Sequence, residues 1–188
     1  MSDPSRSVQR PSRLARLVWL AALPPLLAAC AGTARYGGTT VPLLKPFDQD
    51  QALHQLREGA NTLSGTALLL HRFGGAANCA GQQVALIPAT AYADERMAVL
   101  YGPARQGVVW PPGPRFEPDS LAYEAAVRTE VCGPGGSFRF DKVADGAFYV
   151  VAIVPWQPFP GRERRASLAQ RVELKGGKPQ TIEIKYRP

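Results

Sequence analysis

The 188-residue chain carries a formal net charge of +7, from 22 basic and 15 acidic residues, and it has two histidines and three cysteines. Four arginines and one aspartate lie in the segment 1–29, so the segment 30–188 carries a charge of +4. This excess is too small to indicate a nucleic-acid partner, and a segment of this length suits one domain. The 18 glycines and 18 prolines are dispersed, which favours a β protein with many turns over a helical bundle.

The N-terminal segment is built like an export signal. Its arginines precede an apolar run over 17–27, which is too short to cross about 30 Å of hydrocarbon and is interrupted by Pro24 and Pro25. The sequence Leu-Ala-Ala-Cys ending at Cys30 resembles the lipobox of bacterial lipoproteins. The resemblance implies a signal peptide over 1–29, lipid attached to Cys30 and, because Ala31 follows, an outer-membrane location facing the periplasm. An ordinary secretory signal with an incidental cysteine is the alternative.

Residues 30–59 are predicted to form a lipidated tether and a short helix. The stretch 31–46 has little periodicity, which is typical of a spacer. Asp48 or Asp50 is predicted to cap a helix that runs to Glu58, with Leu53 and Leu56 on its packed face.

From Asn61 onward, short apolar runs bounded by turn residues predict strands at 63–70 and 84–87. Residues 92–100 indicate one or two helical turns. The proline- and glycine-rich stretch 102–118 predicts a long surface loop, and 121–131 predicts a further strand.

The clearest local pattern covers residues 136–150. Phe138 and Phe140 alternate with polar residues, which is typical of a strand with one buried face. Asp145-Gly146 predicts a turn. The following residues, 147–153, are apolar on both faces, which predicts a central strand that is covered on both sides.

This segment resembles the carboxypeptidase regulatory-like domain, whose theme is Gly-x-Phe-x-Phe, a short turn and then Gly-x-aromatic-x-Val. The resemblance implies an opening strand at 63–67, a second strand at 81–88, and a closing hairpin in which 170–174 and 181–186 join through Gly176-Gly177. The predicted fold class is mainly β: an antiparallel transthyretin-like β-sandwich over 60–188, with one or two short helices.

Two cysteines remain once Cys30 is assigned to lipid. Cys79 and Cys132 are an even number in an oxidising compartment, and we predict a disulfide between them. Two free thiols and a metal site are the alternatives. His54 and His71, the two histidines, do not lie at a zinc-motif spacing.

The sequence shows no Gly-x-Ser-x-Gly elbow, phosphate-binding glycine loop or His-Glu-x-x-His motif, so we expect no enzyme activity, cofactor or metal. Aromatic and cationic residues cluster after the central strand, and aromatic and arginine side chains are favoured in binding surfaces. The predicted binding surface comprises Trp110, Trp156, Phe159, Arg162, Arg164 and Arg165. Sealing of the sandwich by the tryptophans, and a merely solvated charged edge, are the alternatives.

We therefore expect a non-catalytic lipoprotein of the cell envelope, attached to the membrane by its lipid anchor. Its domain is predicted to act as a structural or protein-interaction module with an unknown envelope protein or glycan as partner. A periplasmic protein that binds a small ligand or glycan is the alternative, and such a protein would show saturable, ligand-dependent stabilisation.

Overall fold

A computed structural model describes residues 38–71, 75–159 and 161–187 of the chain. The export signal and Cys30 lie outside the described residues. The strands are β1 (Thr40–Pro42), β2 (Asn61–Leu70), β3 (Ala76–Asn78), β4 (Gln83–Pro88), β5 (Gly107–Val109), β6 (Arg115–Glu117), β7 (Arg128–Val131), β8 (Ser137–Val143), β9 (Gly146–Phe159), β10 (Arg162–Leu174) and β11 (Gln180–Tyr186), and the helices are α1 (Gln49–Leu56), α2 (Ala91–Tyr101) and α3 (Leu121–Ala125).

Two sheets form a β-sandwich, as the sequence predicts. The first has the strand order β5-β10-β9-β4-β7, with antiparallel neighbours throughout. The second is built around β2, which pairs with β11 in parallel on one side and with β8 and β3 antiparallel on the other. Strands β1 and β6 form a separate two-stranded parallel sheet.

The alternation of side chains along the strands places the main core between the two sheets. In β2 every second residue from Asn61 to Leu69 is buried, and in β8 the inward residues are Phe138, Phe140 and Val143. They pack with the inward residues of β9, including Phe148 and Val150. Burial of these apolar side chains is the dominant stabilising contribution in such a core.

Strand β9 is central, which confirms the prediction from its two apolar faces. It lies between β4 and β10, and its outward residue Tyr149 is fully buried. Helix α2 covers this outer face, where Tyr92 and Met97 join Tyr149 in a second apolar cluster. Thr90 begins the helix by accepting the Ala93 N–H at 3.2 Å.

Helix α1 forms where the sequence predicts it, with differences in detail. Asp48 is the N-cap and accepts the Gln51 N–H at 3.0 Å, but the helix ends at Leu56 rather than Glu58. Ala52 is the buried residue of the helix, whereas Leu53 is 50% exposed, so the predicted packed face was wrong at that position. The prediction named two leucines and missed Ala52, whose small side chain is the buried one.

The predicted closing hairpin is wrong. Strands β10 and β11 lie in different sheets, and β11 runs parallel to β2 instead of pairing back onto β10. The connection is held at the sandwich end, because the Gly176 N–H donates to Asp145 Oδ1 at 3.0 Å and the Gly177 N–H donates to Asn61 Oδ1 at 2.9 Å. Alternating apolar residues in β11 fit either arrangement equally well.

Two further predictions between residues 102 and 131 require correction. The predicted loop over 102–118 contains β5 and β6, each three residues long. The predicted strand over 121–131 begins as α3, because the Ser120 hydroxyl accepts the Tyr123 N–H at 3.3 Å and Tyr123 packs on Tyr92 with 5.1 Å between ring centroids. Only its second half, β7, is a strand.

Residues 38–59, which the sequence predicts to be tether and short helix, contribute β1 and α1 to the same compact unit as the strands that follow. Glu95 of α2 fixes this segment by accepting the backbone N–H groups of Leu44 and Lys45, at 2.8 to 3.1 Å. These hydrogen bonds lower the pKa of the Glu95 carboxyl.

Candidate functional site

The predicted binding surface lies at one end of the sandwich, where β9 and β10 continue beyond the main core. The inward-facing residues of β9 from Phe148 to Val154 are fully buried. The next inward-facing residue, Trp156, is partly exposed. On the opposite sheet β2 ends at Leu70, and His71 directly after it contacts the Trp156 ring at 5.7 Å between centroids. Trp156 therefore marks the point at which the interior of the sandwich opens to solvent.

Trp110 lies on the other side of Trp156. Strand β5 pairs with β10 so that Val108 stands opposite Leu168, which faces the main core. Trp110 directly follows the end of β5, and its ring contacts that of Trp156. The centroids of the two indole rings are 5.5 Å apart with an interplanar angle of 48°, and Trp110 is 40% exposed.

The strand register adds an arginine to this aromatic face. Arg164 of β10 stands directly opposite Trp156 of β9, so the two side chains leave the sheet on the same side. Arg165 stands opposite Pro155, so its side chain leaves the sheet on the opposite side from Arg164. Its Nε lies 3.8 Å from Glu163 Oε1. A register shift between Arg162 and Arg164 produces a bulge, a feature that often redirects side chains near functional sites.

An open depression of about 820 Å³ lies between the segment after β5, residues 110–112, and residues 163–165 of β10. Strand β5 pairs with β10 at 167–169, so within the described residues the edge of β10 at 163–165 has no strand beside it. Backbone hydrogen-bonding groups therefore accompany the side chains of the depression. Its lining residues are Trp110, Pro111, Pro112, Glu163, Arg164 and Arg165.

Four of the six predicted surface residues thus border one site: Trp110, Trp156, Arg164 and Arg165. Arg162 and Phe159 stand opposite each other at the tip of the hairpin, and of Phe159 only the backbone is described. His71 and Glu163 were not singled out in the sequence. Glu163 lies within the arginine cluster of the sequence. The place of His71 at the site could not be predicted, because Trp156, which it contacts, is far from it along the chain.

The indole N–H of Trp156 is buried and has no hydrogen-bond acceptor among the described residues, and Nε2 of His71 likewise has no hydrogen-bond partner there. Both atoms belong to the aromatic group at the sandwich end. A buried polar atom without a partner is costly, so this end of the molecule has polar capacity that a bound group or water would satisfy.

A second polar cluster, beneath α2, is structural. Tyr149 is fully buried and donates to Asp94 at 2.6 Å, and Arg105 donates to the same carboxylate at 2.9 Å. Burial, followed by the hydrogen bond to Asp94, raises the pKa of Tyr149 to about 12. The phenol is therefore neutral at physiological pH, and all three side chains are engaged with one another.

The disulfide predicted from the cysteine count is present, joining Cys79 after β3 to Cys132 after β7. Both residues are buried in the main core. The described residues contain no group of three or more His, Cys, Asp or Glu side chains placed to hold a metal ion. Nor do they include a helix with the length and apolar character needed to cross a membrane.

The fold is similar to the crystal structure of a Pseudomonas aeruginosa protein described as a "putative carbohydrate binding protein". The TM-score is 0.62 at 20% sequence identity, and the match covers 76% of this chain and 99% of that chain. No family model and no curated protein matches the sequence. At this identity the likeness concerns the fold, and it confirms a β-sandwich.

Proposed function

We propose that this protein is a non-catalytic, glycan-binding lipoprotein of the cell envelope, with its ligand in the depression beside Trp110. Two observations carry the proposal: Trp110 contacts Trp156, and the strand register places Arg164 on the same side of the sheet as Trp156, at the open sandwich end. The proposal takes up the alternative that the sequence left open, in preference to a purely structural or protein-interaction role.

The chemistry of the site supports a sugar ligand. An exposed indole face offers a flat, polarisable surface on which the C–H face of a pyranose ring can stack, while its hydroxyls remain free to form hydrogen bonds. Arginine and unpaired strand-edge groups supply donors and acceptors at the border of that surface. The structural neighbour described as a carbohydrate-binding protein adds support at the level of the fold.

A titration followed by tryptophan fluorescence tests this proposal. After cleavage before Cys30, the protein contains two tryptophans, Trp110 and Trp156, and both lie at the site. Addition of a binding oligosaccharide from an envelope-glycan panel should therefore change the emission saturably. Trp110→Ala should weaken binding about two- to tenfold, since loss of aromatic stacking costs about 0.5–1.5 kcal/mol.

The matched control is Leu121→Ala, which removes a large side chain that is 82% exposed on α3 and outside the depression. It should leave binding unchanged. If no glycan in the panel changes the emission, and crosslinking in intact cells captures an envelope protein through Trp110, the site is a protein-interaction surface and the glycan proposal is wrong.

Attachment to the outer membrane is the second part of the proposal and has an independent test. Two or more acyl chains at Cys30 anchor a protein stably, whereas one chain gives marginal binding. Intact-mass analysis of the protein extracted from membranes should give a chain that begins at Cys30 and carries lipid. Cys30→Ala should release the protein from the membrane fraction, and recovery of an unmodified chain beginning at Met1 would contradict this part.

A further inference from the structure

The geometry points to an acidic polysaccharide, with carboxylate-bearing sugars, as the ligand of the depression beside Trp110. This inference rests on the proposed glycan-binding function and adds the chemical class of the sugar. It follows from the charge balance at the site and from the geometry of arginine.

The hairpin tip has an excess of positive charge. Arg162, Arg164 and Arg165 lie close together in the chain, and Glu163 is the one acidic residue among them. Arg165 and Glu163 are 3.8 Å apart and are 62% and 56% exposed, so solvent screens their attraction strongly. Among the described residues, neither Arg162 nor Arg164 has an acidic partner.

Three arginines elsewhere in the described residues have close acidic partners. Arg96 lies 2.6 Å from Asp119, and Arg105 lies 2.9 Å from Asp94. In the second sheet Arg139 lies 2.8 Å from Asp141. By comparison, Arg164 lines the depression beside the exposed Trp110 and has no acidic partner among the described residues.

Arginine favours a carboxylate over a neutral hydroxyl at such a position. Its planar guanidinium presents parallel N–H donors that match the two oxygens of a carboxylate, and such charge-assisted pairs are roughly twice as strong as neutral ones. A uronic acid combines this carboxylate with a pyranose ring. One sugar could therefore stack on Trp110 while its carboxylate, or that of the next sugar, pairs with Arg164 at the border of the depression.

The experiment compares oligogalacturonate with its fully methyl-esterified form, which has the same sugar backbone without charge. Tryptophan fluorescence of the mature lipoprotein in detergent reports binding of each. We expect the acid to bind about two- to fivefold more tightly than the ester, the difference that one solvent-exposed ion pair produces. The preference should fall as salt is raised, because the arginines are exposed.

Arg164→Gln should remove most of the preference for the acid, because it should lower the affinity for the acid more than the affinity for the ester. The matched control is Arg171→Gln, an exposed arginine of the same strand about 23 Å farther along β10, and it should retain the preference. A thermal unfolding curve for each variant confirms that the fold is intact.

Each outcome decides one of the two claims. Equal binding of acid and ester overturns the acidic class and leaves the glycan function standing. If neutral sugars of the panel bind but neither galacturonate probe does, the acidic class is likewise overturned and the glycan function stands. Equally tight binding of dextran sulfate and of single-stranded DNA shows general polyanion attraction and also overturns the carboxylate class. Absence of binding to every glycan overturns both claims.

Discussion

Removal of the Cys79–Cys132 disulfide should lower the free energy of unfolding by about 4 kcal/mol. The two cysteines are 53 residues apart, and closing a loop of that length restricts the unfolded chain by roughly this amount in the entropy model. Because single domains have only about 5–15 kcal/mol of stability, the bond is a large part of the total.

The native state should survive without the bond. The Gly81 N–H donates to the Cys132 carbonyl at 2.8 Å, and the Cys132 N–H donates to the Gln82 carbonyl at 2.8 Å. They hold Cys132 in place independently of the sulfur link, and the Gln82 N–H, which donates to the Cys79 carbonyl at 2.8 Å, does the same for Cys79. Reduction should therefore weaken the protein without abolishing its fold, whereas Cys79→Ala/Cys132→Ala should cost about 1 kcal/mol more per buried sulfur removed.

Urea denaturation followed by circular dichroism measures the effect in the oxidised, reduced and doubly substituted protein. With an m-value of about 2 kcal/mol/M, reduction should lower the midpoint by about 2 M. Reductant should not change the midpoint of the double variant, which serves as the control. A midpoint that moves by less than about 0.5 M on reduction would refute the reasoning, because the loop constraint would then contribute little to stability.

Three further substitutions, with one control, test the core and two ionisable groups. Phe140→Ala removes a fully buried ring and should cost about 3–5 kcal/mol in urea denaturation, whereas the control Arg139→Ala, on the exposed side of the same strand, should leave the midpoint nearly unchanged. Tyr149→Phe should remove one late step from the alkaline absorbance titration: its pKa is raised to about 12, chiefly by burial, so its contribution to stability is complete below pH about 10 and is lost as the pH rises towards 12. The pKa of Asp145 is lowered, first by the hydrogen bond from Asn61, so its stabilising contribution is present above pH about 4 and is lost as the pH falls through the folded value. Asp145→Asn should therefore be less stable at neutral pH and lose stability less steeply in acid, and an unchanged acid limb would contradict this account.

Much of the local structure could be predicted from the sequence because it depends on neighbours within a few residues. The alternation around Phe138 and Phe140 and the cap at Asp48 are of this kind. Ser120 is also a local cap, yet the helix that it begins was missed because the apolar residues after it fit a strand as well. The pattern of apolar residues shows which side of a segment is buried, but in a segment of a few residues this pattern is similar for a helix and a strand.

The candidate site was predictable in part. The arginines and Trp156 are close in sequence, which predicted that they would lie together. Trp110 was included as a candidate neighbour, and its contact with Trp156 depends on the pairing of β5 with β10. The contact of His71 with Trp156 depends on β2 ending beside Trp156 of β9, which lies in the other sheet, and no spacing in the sequence encodes this.

The sequence by itself determined that this chain would bury alternating side chains in a β-sandwich, that β9 would be central, and that two cysteines were available to pair. Only the tertiary structure decided that β11 joins β2 in parallel, and that no strand of the described residues covers the edge of β10 beside Trp110. The physical reason is that side-chain alternation specifies which face of a strand is buried but not which strand lies beside it. The neighbour is chosen by long-range packing and by connections such as the one that Asn61 and Asp145 hold at Gly176 and Gly177.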